Sequence, residues 1–131
     1  MSRSDLIADT FTMIRNAIMA KKENLDVPAS KQIKSILEIL KKEGYIDNFK
    51  LIDEKQPSYL RVYLKYVLGK SAIISIKRVS RPGLRVYVNH GKIPYVLRGR
   101  GLAIISTPKG IITGREAKKL GLGGEVIGYI W

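Results

Sequence analysis

Cysteine is absent from the 131-residue chain, which excludes a disulfide framework and any thiolate metal site and suits a reducing compartment. Acid is scarce: eleven Asp and Glu stand against 24 Lys and Arg, for a formal net charge of +13. Solubility alone does not require so large an excess, so the expected partner is a polyanion. Long apolar runs are missing as well. The greasiest early stretch, Leu6 to Met19, is broken by Asp9 and Arg15, and no run reaches the roughly 18 residues of a membrane span. Neither a membrane anchor nor a signal peptide is expected, and the default address is the cytoplasm. Hydrophobic residues still make up 45% of the chain, enough for a core in a length that fits one domain or two small subdomains.

The shortage of acid is local. Residues 1–58 carry ten basic and nine acidic side chains, whereas residues 59–131 carry fourteen basic ones and only Glu116 and Glu125 as acids. Glycine divides the same way, with Gly44 alone in the first part and eleven in the second. The polyanion site is therefore expected mainly in the second part.

Hydrophobic spacing predicts the elements. Ser4 is a candidate cap for a helix whose buried stripe is Ile7, Phe11, Ile14 and Ile18. Leu25 and Val27 suggest a short strand before Pro28. Ser30 precedes a second stripe, Ile33, Ile36, Leu37 and Leu40, which Gly44 ends. Tyr45 to Asp53 and Tyr59 to Tyr66 read as strands joined by a turn at Lys55 to Ser58, with Leu60, Val62 and Leu64 facing the helices. Around Gly69 and Lys70 lies the expected junction. Beyond it, Ala72 to Val79 and Leu84 to Val88 read as strands about a type II turn at Arg81-Pro82-Gly83-Leu84. A helical turn is expected near Ile93 to Leu97 and an apolar strand at Leu102 to Ile105. Thr113-Gly114-Arg115-Glu116 has the spacing of a capping box for a short helix through Leu120, and Glu125 to Trp131 is a last strand. The expected fold is α+β, with two small subdomains: an N-terminal α/β sandwich, residues 1–66, and a basic, mainly-β C-terminal subdomain with a short helix, residues 67–131.

Enzyme signatures fail one by one. Gly69-Lys70-Ser71 resembles the end of a phosphate-binding loop, but the glycine required five residues earlier is Leu64. His90 sits in the turn Asn89-His90-Gly91 and reads as a solvated loop histidine. No cluster of ligands suggests a metal. The chain is read as no enzyme, with no cofactor and no small-molecule substrate.

Binding signatures are richer. Arg85 and Tyr87 alternate with Leu84, Val86 and Val88, which sets a guanidinium beside an aromatic ring able to hold phosphate and stack on a base. Arg98-Gly99-Arg100-Gly101 puts two cations on a flexible backbone, and Lys92, Arg115, Lys118 and Lys119 are positioned to join them. Ser106-Thr107-Pro108-Lys109-Gly110 places two hydroxyls and a cation on a turn after an apolar strand. Glu125 would repel phosphates unless it accepts from a base amino group or pairs with a nearby lysine. An architectural DNA-binding protein or nonspecific nucleic-acid chaperone is the competing reading, but no groove-inserting arm or dimer signature accompanies the charge.

Ile105-Ser106-Thr107-Pro108-Lys109-Gly110, Arg115-Glu116-Ala117 and Leu122-Gly123-Gly124-Glu125-Val126 resemble the C-terminal signature of the small-subunit ribosomal protein eight family, bacterial type. Asp5 to Ala17, Val27-Pro28-Ala29-Ser30-Lys31 and Ser80 to Tyr87 extend the resemblance over essentially the whole chain. It implies a primary binder of small-subunit rRNA that recognises an irregular helix of the central domain and aids its assembly. Its neighbours would be the small-subunit proteins numbered two, five and seventeen, on a cytoplasmic or organelle ribosome. Some family members repress their own mRNA. By the resemblance, Ser106, Thr107, Lys109, Gly110, Tyr87 and Glu125 carry the RNA contacts, joined by Ser30, Lys31 and Arg15 in the first part. Pro108 departs from the family, which commonly has a second serine there.

Overall fold

The computed structural model describes residues 5–54 and 56–131, and the backbone but not the side chain of Arg98. Ser4 and Lys55, expected as a helix cap and a turn residue, lie outside the described residues. The chain divides into two compact units between Ile73 and Ile74.

In the first unit, α1 (Leu6–Met19) is capped by Asp5, whose carboxylate accepts the Ala8 N–H at 3.3 Å. Its buried stripe is Ile7, Thr10, Phe11, Ile14 and Ala17, so Ile18 is only half buried and Ala17 takes the innermost place at the end. After β1 (Asn24–Pro28) comes α2 (Lys31–Lys42), which buries Ile33, Ile36, Leu37, Ile39 and Leu40. Strands β2 (Ile46–Ile52) and β3 (Tyr59–Leu64) complete an antiparallel sheet of order β1-β3-β2. Alternation in β3 buries Leu60, Val62 and Leu64 and turns Tyr59, Arg61 and Tyr63 outward, where Arg61 pairs with its cross-strand partner Asp26 at 2.9 Å.

The stretch expected as a junction is itself paired. Strands β4 (Tyr66–Val67) and β5 (Lys70–Ser71) form a tight hairpin whose corner residues Leu68 and Gly69 both have positive φ, 52° and 80°. That is the corner pattern of the primed turns that match strand twist. The expected boundary near Gly69 thus falls inside a hairpin belonging to the first unit.

The second unit is built on β10 (Gly124–Ile130) and β8 (Leu102–Thr107), neighbours in a sheet of order β6-β10-β8-β9, where β6 is Ile76–Arg78 and β9 is Gly110–Thr113. Strand β7 (Tyr87–Val88) also pairs with β10. Here the expected hairpin of Ala72–Val79 with Leu84–Val88 is corrected. Both segments run antiparallel to β10, β6 beside Gly128 to Ile130 and β7 beside Gly124 and Glu125. Two strands laid one after the other on the same edge cannot pair with each other, so each is short, and the backbone between them closes through mutual Arg81–Leu84 bonds at 3.0 Å. Gly83 lies outside the left-handed region, so the turn is not type II.

Between Asn89 and Gly101 there are two 3-10 turns, His90–Lys92 and Val96–Gly99, rather than one near Ile93 to Leu97. Helix α3 (Gly114–Leu120) starts at Thr113, whose hydroxyl accepts the Glu116 N–H at 3.2 Å, and ends at Gly121 with φ 67°. It rests Ala117 on Ala103, Ile105 and Val126, and Val86, Val88, Ile93 and Val96 pack around that cluster. Strand β9, unforeseen from the sequence, joins the Ser106–Gly110 turn to this helix.

Candidate nucleic-acid interface

Antiparallel register brings three of the expected contact residues into one line. Glu125 lies opposite Tyr87 on one side and opposite Ser106 on the other. Directly opposed residues share a face, and neighbouring strands are about 4.8 Å apart, so the Tyr87–Glu125–Ser106 row spans about 10 Å. Because Ile105 and Val126 point to Ala117, their neighbours Ser106 and Glu125 point to the face away from α3. Tyr87 is 68% exposed. Ser106 is half buried, and its hydroxyl bonds to no group among the described residues.

Glu125 is held from below. Its Oε2 accepts the Ser80 hydroxyl at 2.6 Å and Arg85 Nη1 at 2.9 Å. Ser80 is fully buried and also accepts the Val86 N–H at 2.9 Å. Both bonds to the carboxylate fall on Oε2, and among the described residues no donor reaches Oε1. Arg85, expected at a phosphate, is thus the cation that neutralises Glu125, in place of the lysine anticipated. A carboxylate oriented this way keeps one oxygen to accept from a donor outside the chain.

The turn after β8 is tighter than a loop. Thr107 pairs with Gly110, leaving Pro108 and Lys109 at the corners. The Thr107 hydroxyl donates to the Gly110 carbonyl at 2.8 Å and accepts the Lys109 N–H at 3.2 Å, and the residue is buried. Its side chain therefore builds the turn, with its one O–H committed to Gly110. Gly110 adopts φ 111°, a conformation that a side chain would strain. Pro108 occupies a corner at which the hairpin pairing needs no N–H, so it fits the turn. Lys109 is exposed beside the row.

Gly123 and Gly124 let β10 enter the sheet. A Cβ on Gly123 would strike the Val88 carbonyl oxygen, and one on Gly124 would strike the carbonyl oxygen of Ser106 and come within 2.9 Å of its carbon. Glycine is required here for close backbone approach rather than for positive φ, and this approach sets Glu125 opposite Ser106.

The other cations spread over the unit. Arg100 and Arg115 are exposed, and Arg115 Nη2 reaches the Gly99 carbonyl at 3.5 Å. Lys92, Lys118 and Lys119 are exposed too. Arg98 belongs to a 3-10 turn, and its side chain lies outside the described residues. His90 is exposed next to Asn89, whose side chain accepts the Gly91 N–H at 3.1 Å. Among the described residues no group of three His, Asp or Glu could hold a metal ion, and no helix is long and apolar enough to cross a membrane.

Ser30, Lys31 and Arg15 belong to the first unit. Ser30 caps α2, accepting the Ile33 N–H at 3.1 Å, and with Lys31 and Lys34 it borders a groove of about 630 Å³ floored by Phe49, Leu51 and Leu60. Arg15 is on the exposed side of α1. Sequence reasoning missed Ser80. Its one signal was a small hydroxyl before Arg81-Pro82, indistinguishable from an ordinary turn residue until Glu125 is placed above it.

The family model for ribosomal protein S8 matches residues 5–131. Small ribosomal subunit protein uS8 of Moorella thermoacetica is 53% identical over 129 residues, which covers 98% of this chain and 99% of that one. The uS8 of Geobacillus kaustophilus is 49% identical over the full length of both chains. Small ribosomal subunit protein uS8c of Thalassiosira pseudonana is 53% identical, with 98% of each chain covered. With its glycine pair, its tight Thr107–Gly110 turn and its buttressed glutamate all within the matched span, the chain belongs to the ribosomal protein S8 family.

Proposed function

We propose that the chain is a structural constituent of the small ribosomal subunit that binds small-subunit rRNA directly and helps its central domain assemble. Its second unit is the principal reader. The observation that carries this is the Tyr87–Glu125–Ser106 row: a ring to stack, a carboxylate oxygen to accept and a hydroxyl that can do either, fixed across three strands. Only one of the three is charged, and it is an anion, so the row suits base edges and ribose rather than phosphate. Phosphates fall to Lys109, Arg100, Arg115 and Arg98 around it, and Ser30, Lys31 and Arg15 supply a secondary contact from the first unit. The resemblance adds small-subunit proteins two, five and seventeen as neighbours, and repression of its own mRNA through the same surface.

Crosslinking in cells followed by sequencing of the attached RNA tests this reading. A dominant peak in one central-domain helix of small-subunit rRNA is the expected result. Reads dispersed over DNA or many mRNAs would favour a nonspecific chaperone and defeat it.

A further inference from the structure

A second aromatic residue stands apart from the row. Tyr95 is 75% exposed, yet two contacts orient its ring. Lys118 Nζ lies over the ring, 5.9 Å from the centroid, and the phenol end lies on Gly99, where an added Cβ would come within 3.1 Å of the Tyr95 oxygen. Gly99 has φ 88°, and its carbonyl receives Arg115 Nη2 at 3.5 Å. Exposed Arg100 follows directly in sequence. The two side-chain carboxylates after residue 58 make their contacts elsewhere, Glu116 with Thr113 at the start of α3 and Glu125 with Ser80 and Arg85.

An aromatic ring backed on one side by a cation, with a guanidinium held beside it on the Gly99 carbonyl, has the makings of a stacking platform for nucleic acid. A protein partner would have to bring its own carboxylates to offset the same cations. The platform also lies at the opposite end of β8 from the row. The Val96–Gly99 turn closes on Gly101, just before β8, whereas Ser106 lies near its far end. Along the strand this separation is roughly 15 Å, several times the spacing of about 3.4 Å between successive charges on one strand of a duplex. No nucleotide that touches Ser106 stacks on Tyr95.

We infer that Tyr95, backed by Lys118 and with Arg115 held on the neighbouring Gly99 carbonyl, is a second RNA-contact point that takes an unpaired nucleobase on its open ring face and the adjoining phosphates on the cations. This rests on the RNA-binding reading above and adds to it that the RNA presents an unstacked base several rises away from the one read by Ser106.

The test uses the full chain and two probes. A single-stranded adenosine oligonucleotide containing 2-aminopurine is titrated into proteins carrying Tyr87→Leu, so that the row's own ring is removed. Quenching is expected with Tyr95 and with Tyr95→Phe, and lost with Tyr95→Leu. Small-subunit rRNA from the source organism is then bound by filter assay, where Tyr95→Leu lowers affinity by roughly 10-fold and Tyr95→Phe leaves it nearly unchanged. Circular dichroism confirms that each variant folds. Unchanged quenching and affinity in Tyr95→Leu overturn the platform, as does an unchanged rRNA affinity with reduced incorporation into the subunit, which would assign the ring to a protein. Loss of rRNA specificity in the unmodified chain while the quenching persists defeats the ribosomal reading and leaves the platform standing.

Discussion

The Ser80 hydroxyl donates to Glu125 Oε2 at 2.6 Å while it accepts the Val86 N–H at 2.9 Å. One buried oxygen thus links the end of the β6 segment, the approach to β7 and the only acid of the Tyr87–Glu125–Ser106 row. It fixes the carboxylate in place, and a group ordered beforehand pays less to bind a partner.

Ser80→Ala should therefore act on both stability and recognition. It leaves the Val86 N–H without its partner, at about 1–3 kcal/mol, and it frees the Glu125 side chain to rotate. A lower urea midpoint together with weaker binding of the cognate rRNA helix is the expected pair of results. An unchanged midpoint would show that water replaces the hydroxyl.

Ser106→Ala and Glu125→Gln should each weaken the cognate helix by about 1–3 kcal/mol, but they should part company in salt. Ser106→Ala removes no charge and leaves the salt slope as it was. Glu125→Gln releases Arg85 from its ion pair, so nonspecific duplex binding should strengthen and its slope steepen by roughly 0.7–0.9. Salt titrations of both variants on cognate and scrambled RNA make the comparison. Equal losses on both RNAs for Ser106→Ala would reduce the row to an ordinary sheet face.

Lys109→Ala, at an exposed corner of the turn, should do the reverse. Affinity should fall alike on all RNAs, and the salt slope should become shallower by about 0.7–0.9 if the ammonium meets phosphate. Filter binding between low and moderate salt reads the slope directly, and an unaltered one removes Lys109 from the phosphate set.

Gly124→Ala should be among the more damaging single-methyl changes in the second unit. Its Cβ collides with the Ser106 backbone, which is part of the central strand pair and has no flexible end to move aside. Overpacking of this kind costs about 1–3 kcal/mol and should shift Glu125 out of register with Ser106. Thermal unfolding and rRNA binding should both report it, and a variant as stable as the parent would contradict the close approach.

Alkaline pH should weaken the first unit. Burial raises the Tyr66 hydroxyl above its ordinary value near 10, and it donates to the Lys22 carbonyl at 2.7 Å. Tyr45 is raised as well, first by burial and then by Glu43. For groups raised in the folded state, the associated stability is fully present below pH about 10 and is lost as pH climbs through the folded values. Urea midpoints at pH 9 and pH 11 measure the loss, and Tyr66→Phe should flatten part of that dependence.

Periodicity was enough to place the helices, because α1 and α2 each bury one stripe at helical spacing and β3 alternates strictly. The capping box at Thr113 was equally legible, being a contact three residues long. Where neighbouring segments compete for one partner, local pattern stops informing. Ala72–Val79 and Leu84–Val88 look like a hairpin, and only their shared use of the β10 edge shows that they are not. The Gly69-Lys70-Ser71 linker became a hairpin for a related reason, since Leu68 has to take a positive φ that no sequence rule assigns to leucine.

By itself, then, the sequence determined the basic excess of the second part, the helical and alternating stripes, the capping box at Thr113 and the signature that places the chain in its family, while the first helix is capped by Asp5 and not by the expected Ser4. All of these are written in composition or over spacings of a few residues. Tertiary structure alone decided that Thr107 spends its hydroxyl inside its own turn, that Arg85 neutralises Glu125 and that buried Ser80 holds that carboxylate in place. The Ser80 and Arg85 contacts join residues 45 and 40 positions apart, and hydrogen-bond geometry at that separation is set by strand register, which a linear pattern does not encode.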